Sequence, residues 1–251
     1  MVVESGEKLC NTLPPVEVDY TAKGRWLEGD EMLNGCKTYF SSTGPTTKAL
    51  IYIYDIGGLC SQNYQGADIL ANAGYDVYVV DVMRGGNLDL PKFMEMSSED
   101  KIKVRETFDK GSGNLSQHAA EMPSYINLLR AKGYTRVGAA GFCWGGNLVV
   151  QVPEFDVIAM IHPGRQVNAK AAERLNVPTC LLPSQNDPEE LMEGFHAVMK
   201  TKPFGEKCIL KWYKDQIHGF CAARGDLSDL HVRAGFQDVF VTLIKFFKDN
   251  L

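Results

Sequence analysis

Residues 141–146 read GFCWGG, and the reading of this stretch decides the fold. The small apolar run TRVGAAGF (135–142) leads into it, and NLVVQV (147–152) leaves it. A run of the first kind is a strand and one of the second a helix, so the glycines mark a sharp strand-to-helix turn. Glycines on either side of Cys143 remove side chains that would collide with the strand and the helix. The N-terminus of the following helix presents backbone N–H groups and the positive end of a dipole, which stabilise a thiolate or an oxyanion. GFCWG thus fits G-x-C-x-G, the cysteine form of the nucleophile elbow G-x-S-x-G. Cys143 is the candidate nucleophile.

Outward from the elbow, strands and helices alternate. KALIYIYDI (48–56) is a continuous apolar, aromatic and β-branched run, the pattern of a strand buried on both faces. NYQGADILANAG (63–74) has helical spacing and a glycine stop, and YDVYVVD (75–81) is a second strand. Residues 97–110 begin on a serine cap and run helical, as do residues 115–132. Three further strands are expected at 155–163, 177–187 and 206–215, and helices at 188–201 and 229–249. This order predicts an α/β fold, a mostly parallel sheet with helices on both faces. It occupies one domain, residues 36–251, behind a largely irregular arm, residues 1–35, rich in turn formers and charges (LPP, AKGR, EGDE, LNG). Such sheets bind ligands beyond the carboxyl ends of their strands. Asp55, Asp81, Cys143, His162, Asp187 and His218 all stand there.

Composition narrows the function classes. A chain of 251 residues buries a core without staples. A net charge of −5 and a pI near 5.6 argue against nucleic-acid or acidic-membrane partners, which want a basic face. No apolar run reaches membrane-spanning length, and MVVESGEKLCNTLPP lacks the basic and apolar regions of a secretion signal. The seven cysteines include no C-x-x-C pair and no zinc spacing, so no metal site is expected. Their odd number fits free thiols in a reducing, cytoplasmic compartment. The first strand ends in YDIGGLCSQ, with no G-x-G-x-x-G, which argues against a dinucleotide enzyme. No cofactor is expected.

The order nucleophile, acid, histidine is that of the α/β-hydrolase fold. Here Cys143 is followed by Asp187, in PSQND, and by His218, in DQIHGF, each at the end of its own expected strand. Cys143 would attack an acyl carbon, His218 would move the proton, and Asp187 would orient the imidazole. His162, in MIHP, precedes the acid in the chain and is read instead as lining the pocket.

Together GFCWGG, the acid in QND, HGF and the strand-end YDIGG resemble the dienelactone hydrolase family, including its eukaryotic carboxymethylenebutenolidase-like members, from about residue 24 to the C-terminus. The resemblance implies a single α/β-hydrolase domain with a Cys–His–Asp triad that hydrolyses enol-lactones and other small esters. It implies that Asp55 helps convert the thiol into an attacking thiolate. It places the oxyanion hole at the backbone N–H groups of Ile56 and Trp144. It also gives the substrate a carboxylate, bound by Arg84, Arg224 and Arg105, although HGFCAAR carries one residue more than the family pattern. Gly57 stands where many members have an aromatic ring, whose loss would open the pocket, and Trp144 would narrow it.

The expected function is therefore hydrolysis of small, anionic esters or lactones by a monomer or homodimer. The alternative is a non-catalytic binding protein, or a redox sensor in which Cys143 pairs with Cys60 or Cys221.

Overall fold

The structure, a computed structural model, describes residues 16–251. Residues 1–15 of the expected arm, with Cys10, lie outside the described residues. Among the described residues eight strands form one sheet: β1 (Arg25–Trp26), β2 (Thr38–Ser41), β3 (Lys48–Ile53), β4 (Asp76–Val80), β5 (Arg136–Phe142), β6 (Val157–Ile161), β7 (Thr179–Leu182) and β8 (Ile209–Leu210). Their spatial order is β1-β2-β4-β3-β5-β6-β7-β8. The pairs β1–β2 and β2–β4 are antiparallel, and all the others are parallel.

Register carries the site. Ile53 is paired with Gly141, Phe142 with Ile161, and Ile161 with Leu182. The carboxyl ends of β3, β5, β6 and β7 therefore finish side by side. The segments bearing Asp55, Cys143, His162 and Asp187 leave the sheet along one edge.

Among the described residues eight α-helices surround the sheet: α1 (Ser61–Asn72), α2 (Leu90–Glu95), α3 (Ser98–Lys110), α4 (Leu115–Ala131), α5 (Trp144–Val149), α6 (Ala169–Arg174), α7 (Glu189–Lys200) and α8 (Leu230–Asn250). The strand periodicity of two explains why the central strands read as unbroken apolar runs. Ala49, Ile51 and Ile53 join a core that includes Met122 and Ile126 of α4 and Phe195 of α7. Leu50 and Tyr52 face the other way, into a core with Leu70 of α1 and Phe236 and Phe240 of α8.

Several boundaries differ from the sequence reading. The last strand shrinks from 206–215 to Ile209–Leu210, because Gly205–Lys207 closes a 3-10 turn and β8, at the sheet edge, pairs only with β7. The strand expected at 177–187 stops at Leu182, and Ser184 keeps only an isolated bridge to Tyr213. Four short elements had no sequence signal: β1, β2, α2 and α6. The expected arm is partly ordered against the domain. Arg25 and Trp26 pair with Phe40 and Tyr39, and the Tyr20 hydroxyl and the Lys23 N–H both donate to Asp68 of α1.

A close helix contact supports the second core beneath the elbow. A Cβ on Gly66 of α1 would lie 2.3 Å from the Phe240 ring, and Phe240 stacks at 6.3 Å on Phe142, the residue before Cys143. Alanine favours a helix over glycine by roughly 1 kcal/mol, but overpacking here costs about 1–3 kcal/mol. Gly66→Ala is therefore expected to lower the thermal unfolding midpoint. A raised midpoint would show that α8 has slack to retreat.

Candidate active site

The elbow is built from close backbone contacts. A Cβ at Gly141 would lie 2.3 Å from the Gly145 carbonyl oxygen, and one at Gly145 the same distance from the Ile53 oxygen. No other residue fits either place, which is the physical content of G-x-C-x-G. Between them Cys143 adopts φ 51° and ψ −110°, a conformation that costs a non-glycine residue about 1–3 kcal/mol. The turn is held by its neighbours: Cys143 N–H donates to the Ile161 carbonyl at 2.9 Å and Gly145 N–H to the Tyr54 carbonyl at 3.2 Å. The strain projects the sulfur off the sheet edge at the start of α5.

The structure brings together three of the residues expected from sequence. His218 Nε2 lies 3.0 Å from Cys143 Sγ, and His218 Nδ1 lies 3.3 Å from Asp187 Oδ1. The Asp187 side chain is almost wholly buried, and its oxygens are divided. Oδ2 accepts from the Ser184 N–H and hydroxyl at 2.7 and 2.8 Å; Oδ1 accepts from the Gly164 N–H at 3.0 Å and faces His218. Burial would raise the Asp187 pKa, but the His218 contact and the Ser184 bonds together hold it below its usual range. For His218, burial favours the neutral ring, yet the contacts with Asp187 and Cys143 outweigh it and push the pKa up to about 10. The histidine backbone is located by its N–H bond to Asn186 Oδ1 at 2.9 Å.

His162 does not line the pocket as expected. It is fully buried with φ 37°, its ring 5.1 Å from the His218 ring and 5.6 Å from Phe220. Neither ring nitrogen has a hydrogen-bond partner among the described residues. Burial, reinforced by the charge of His218, pulls its pKa down to about 3, so it packs behind the site as a neutral ring.

Asp55 is also buried, and burial raises its pKa. Its Oδ1 accepts from Gly57 N–H at 2.8 Å and its Oδ2 from Ala223 N–H at 3.2 Å. It ties the loop after β3 to the segment after His218. The hydrogen-bond partner of the sulfur is His218. The N–H groups of Ile56 and Trp144 donate to no group among the described residues. Gly57 leaves no opening: a Cβ there would meet Leu90 at 2.5 Å and Ala223 at 2.8 Å, so other side chains fill the space of the missing ring. Trp144 is buried, its Nε1–H donating to the Gly113 carbonyl at 2.9 Å, and its indole forms a fixed wall.

A cavity of about 610 Å³ opens on Cys143 and His218, within the size range of small-molecule sites. Of the three arginines expected there, only Arg105 lines it. Arg84 turns to Glu121 at 3.4 Å, and the Arg224 guanidinium donates to the His218 carbonyl at 2.9 Å; both are drawn off by nearer acceptors. Arg165, just after β6, lines the cavity and was not read from sequence; its position beside MIHP at a strand end was the available signal. Among the described residues no cluster of three or more His, Cys, Asp or Glu side chains could hold a metal ion, and no helix is long and apolar enough to cross a membrane.

The two histidines give opposite pH limbs. An unfolded histidine releases its proton near 6.5, whereas folded His218 holds it to about 10. The stabilisation from His218 is therefore complete below 6.5 and is lost as pH rises through the folded pKa. His162 works in reverse: below 6.5 the unfolded chain takes a proton that the folded chain refuses down to about 3, so stability falls with acid. In thermal unfolding across pH, His218→Gln should flatten the alkaline limb and His162→Phe the acid limb. Curves parallel to wild type would refute these assignments.

Comparison with known proteins agrees with this architecture. The model of the dienelactone hydrolase family matches residues 37–251. An uncharacterized AIM2 family protein of Schizosaccharomyces pombe is 31% identical over 235 residues, covering 91% of this chain and 92% of that one. A carboxymethylenebutenolidase homolog of Mus musculus is 27% identical over 186 residues, covering 69% of this chain and 70% of that one. Among solved structures, a dienelactone hydrolase-like promiscuous phosphotriesterase from metagenomic libraries has a TM-score of 0.59 at 16% identity, covering 84% of this chain and 92% of that one, a likeness of fold. With a family model spanning most of its length and a relative of this identity, the chain belongs to the dienelactone hydrolase family.

Proposed function

We propose that this hydrolase cleaves small esters or lactones, with Cys143 as nucleophile, His218 as proton carrier and Asp187 as the residue that orients it. The observation that carries the reading is His218 set between Cys143 Sγ at 3.0 Å and Asp187 Oδ1 at 3.3 Å, with the sulfur facing the cavity. An imidazolium beside a thiolate is the reactive pair of a cysteine hydrolase.

The steps follow from those positions. The thiolate attacks the carbonyl carbon, and the carbonyl oxygen becomes an oxyanion. The free N–H groups of Ile56 and Trp144 receive it, a type of donor pair whose single members are worth about 10²–10³ in rate. His218 gives its proton to the departing alkoxide or enolate as the ester C–O bond breaks, leaving a thioester on Cys143. The thioester sulfur carries no charge, which removes one of the contacts that raise the His218 pKa. Neutral His218 then takes a proton from water, the hydroxide adds to the thioester, and the acid leaves as the thiolate re-forms. In this scheme Asp55 is a positioning residue: its bond to Gly57 N–H shapes the turn that presents Ile56.

The redox alternative has less support. Cys60 Sγ is bonded to Asn63 Oδ1 at 3.2 Å, and Cys221 is fully buried in the second core.

A panel of enol-lactones and p-nitrophenyl acetate tests the proposal. Cys143→Ala should reduce turnover to background, and His218→Ala should lower kcat/KM by about 10²–10⁴, both with the fold intact by circular dichroism. Undiminished hydrolysis by Cys143→Ala would reject the mechanism.

A further inference from the structure

Helix α5 is buried at every residue but one. Trp144, Gly145, Gly146, Leu148 and Val149 are buried, whereas Asn147 is partly exposed and lines the cavity with Cys143 and His218. Asn147 stands four residues after Cys143, and its backbone N–H donates to the Cys143 carbonyl at 3.1 Å. Residues so spaced share one face of a helix, and helical side chains lean toward the N-terminus. The Asn147 carboxamide therefore leans toward the end of α5 that carries the sulfur.

The orientation of this carboxamide is fixed. Its Oδ1 accepts from the Gln166 N–H at 3.0 Å, so the oxygen is committed to the loop after β6. The Nδ2 end lies 3.4 Å from the place a Cβ on Gly164 would take, and it donates to no group among the described residues. The Gly164 N–H in turn donates to Asp187 Oδ1, the oxygen that faces His218, so the amide nitrogen sits against backbone braced by Asp187. Asn114, which lines the same cavity, follows the same rule. Its Oδ1 accepts from the Gln117 N–H at 3.1 Å to cap α4, and its nitrogen is the free end. Two carboxamides whose oxygens are taken offer the cavity donors only.

We propose that Asn147 is a specificity-determining residue of this site. It donates from Nδ2 to an uncharged acceptor oxygen (ether, hydroxyl or carbonyl) on the acyl group that becomes bonded to Cys143. The inference rests on the reading of Cys143 as the reactive sulfur, and it deepens that reading by naming a substrate class: esters or lactones whose acyl chain bears a second oxygen. One helical turn separates Asn147 from Cys143, roughly 5 Å along the axis, which sets that oxygen a few bonds from the reacting carbon. A methylene at the same place would leave the donor without an acceptor, and a buried donor so stranded is costly.

The first test needs no ester turnover. N-(2-methoxyethyl)-2-chloroacetamide and N-butyl-2-chloroacetamide carry the same electrophile and differ by an ether oxygen in place of a methylene. The Cys143 thiolate forms a C–S bond with either and expels chloride. Rates at the Cys143 peptide are read by mass spectrometry for wild type, Asn147→Leu, Asn147→Asp and Asn114→Asp, with unfolding midpoints as the fold check. Asn147→Asp keeps an acceptor for the Gln166 N–H and removes the donor. Its added charge acts alike on two uncharged probes and cancels in their ratio. The ether-to-methylene ratio should fall about fivefold in both Asn147 variants, the scale of one neutral hydrogen bond, and less in Asn114→Asp. A ratio unchanged in both Asn147 variants overturns the proposal. So does a ratio kept by Asn147→Asp and lost in Asn147→Leu, which would make Asn147 a brace for the loop. A larger fall in Asn114→Asp than in Asn147→Asp also overturns it. Hydrolysis of p-nitrophenyl methoxyacetate against p-nitrophenyl butanoate, again an oxygen for a methylene, keeps the two readings apart. Turnover abolished by Cys143→Ala, with the same preference in wild type and Asn147→Asp, leaves the hydrolase standing and removes Asn147. Absence of turnover with the alkylation ratio falling removes the hydrolase and keeps the donor.

Discussion

The contact on which the site depends is backbone against backbone at the elbow. Gly145 packs on the Ile53 carbonyl and donates to that of Tyr54, while the Cys143 N–H reaches back to Ile161. These contacts hold Cys143 in a backbone conformation that an isolated chain avoids. The strain is localised, and the doubly buried strands around it supply the stability that offsets it. Without the close approach, the sulfur would lie along the strand and not face the cavity.

Electrostatic order follows from the same frame. Asp187 is buried and saturated by Ser184, Gly164 and His218, so it stays a carboxylate where burial alone would protonate it. His218, between that carboxylate and the sulfur, keeps its proton. His162 behind it cannot take one, since a second charge beside His218 in a dry site is too costly. The uncharged ring lets the proton of the site reside on the imidazole that touches Cys143.

Much of this was legible in the chain. The elbow, the order Cys143, Asp187, His218, and the alternation of strands and helices are local patterns or sequence orders, and all reappear. Arginine placement was not legible. Arg84, Arg105 and Arg224 were expected at one pocket, but a long side chain goes to whichever acceptor the fold puts within reach: Glu121 for Arg84 and the His218 backbone carbonyl for Arg224, and neither arginine lines the cavity. Arg165 attracted no attention because a loop arginine after MIHP looks solvated until the cavity beside it is seen. His162 was misplaced for a related reason: its strand-end position is correct, but a positive φ turns its ring inward.

By itself, then, the sequence determined which strands are buried on both faces, where the chain must turn through glycine, and which residues stand at the carboxyl ends of strands. Those properties depend on neighbours within a few residues, through periodicity and the steric demand for a missing Cβ. Only the tertiary structure decided which side chains meet: that His218 comes within 3.0 Å of a sulfur 75 residues earlier, that Asp55 braces a loop 168 residues away, and that Arg165, and neither Arg84 nor Arg224, lines the cavity. Such pairings are set by strand order and register, and no local pattern encodes them.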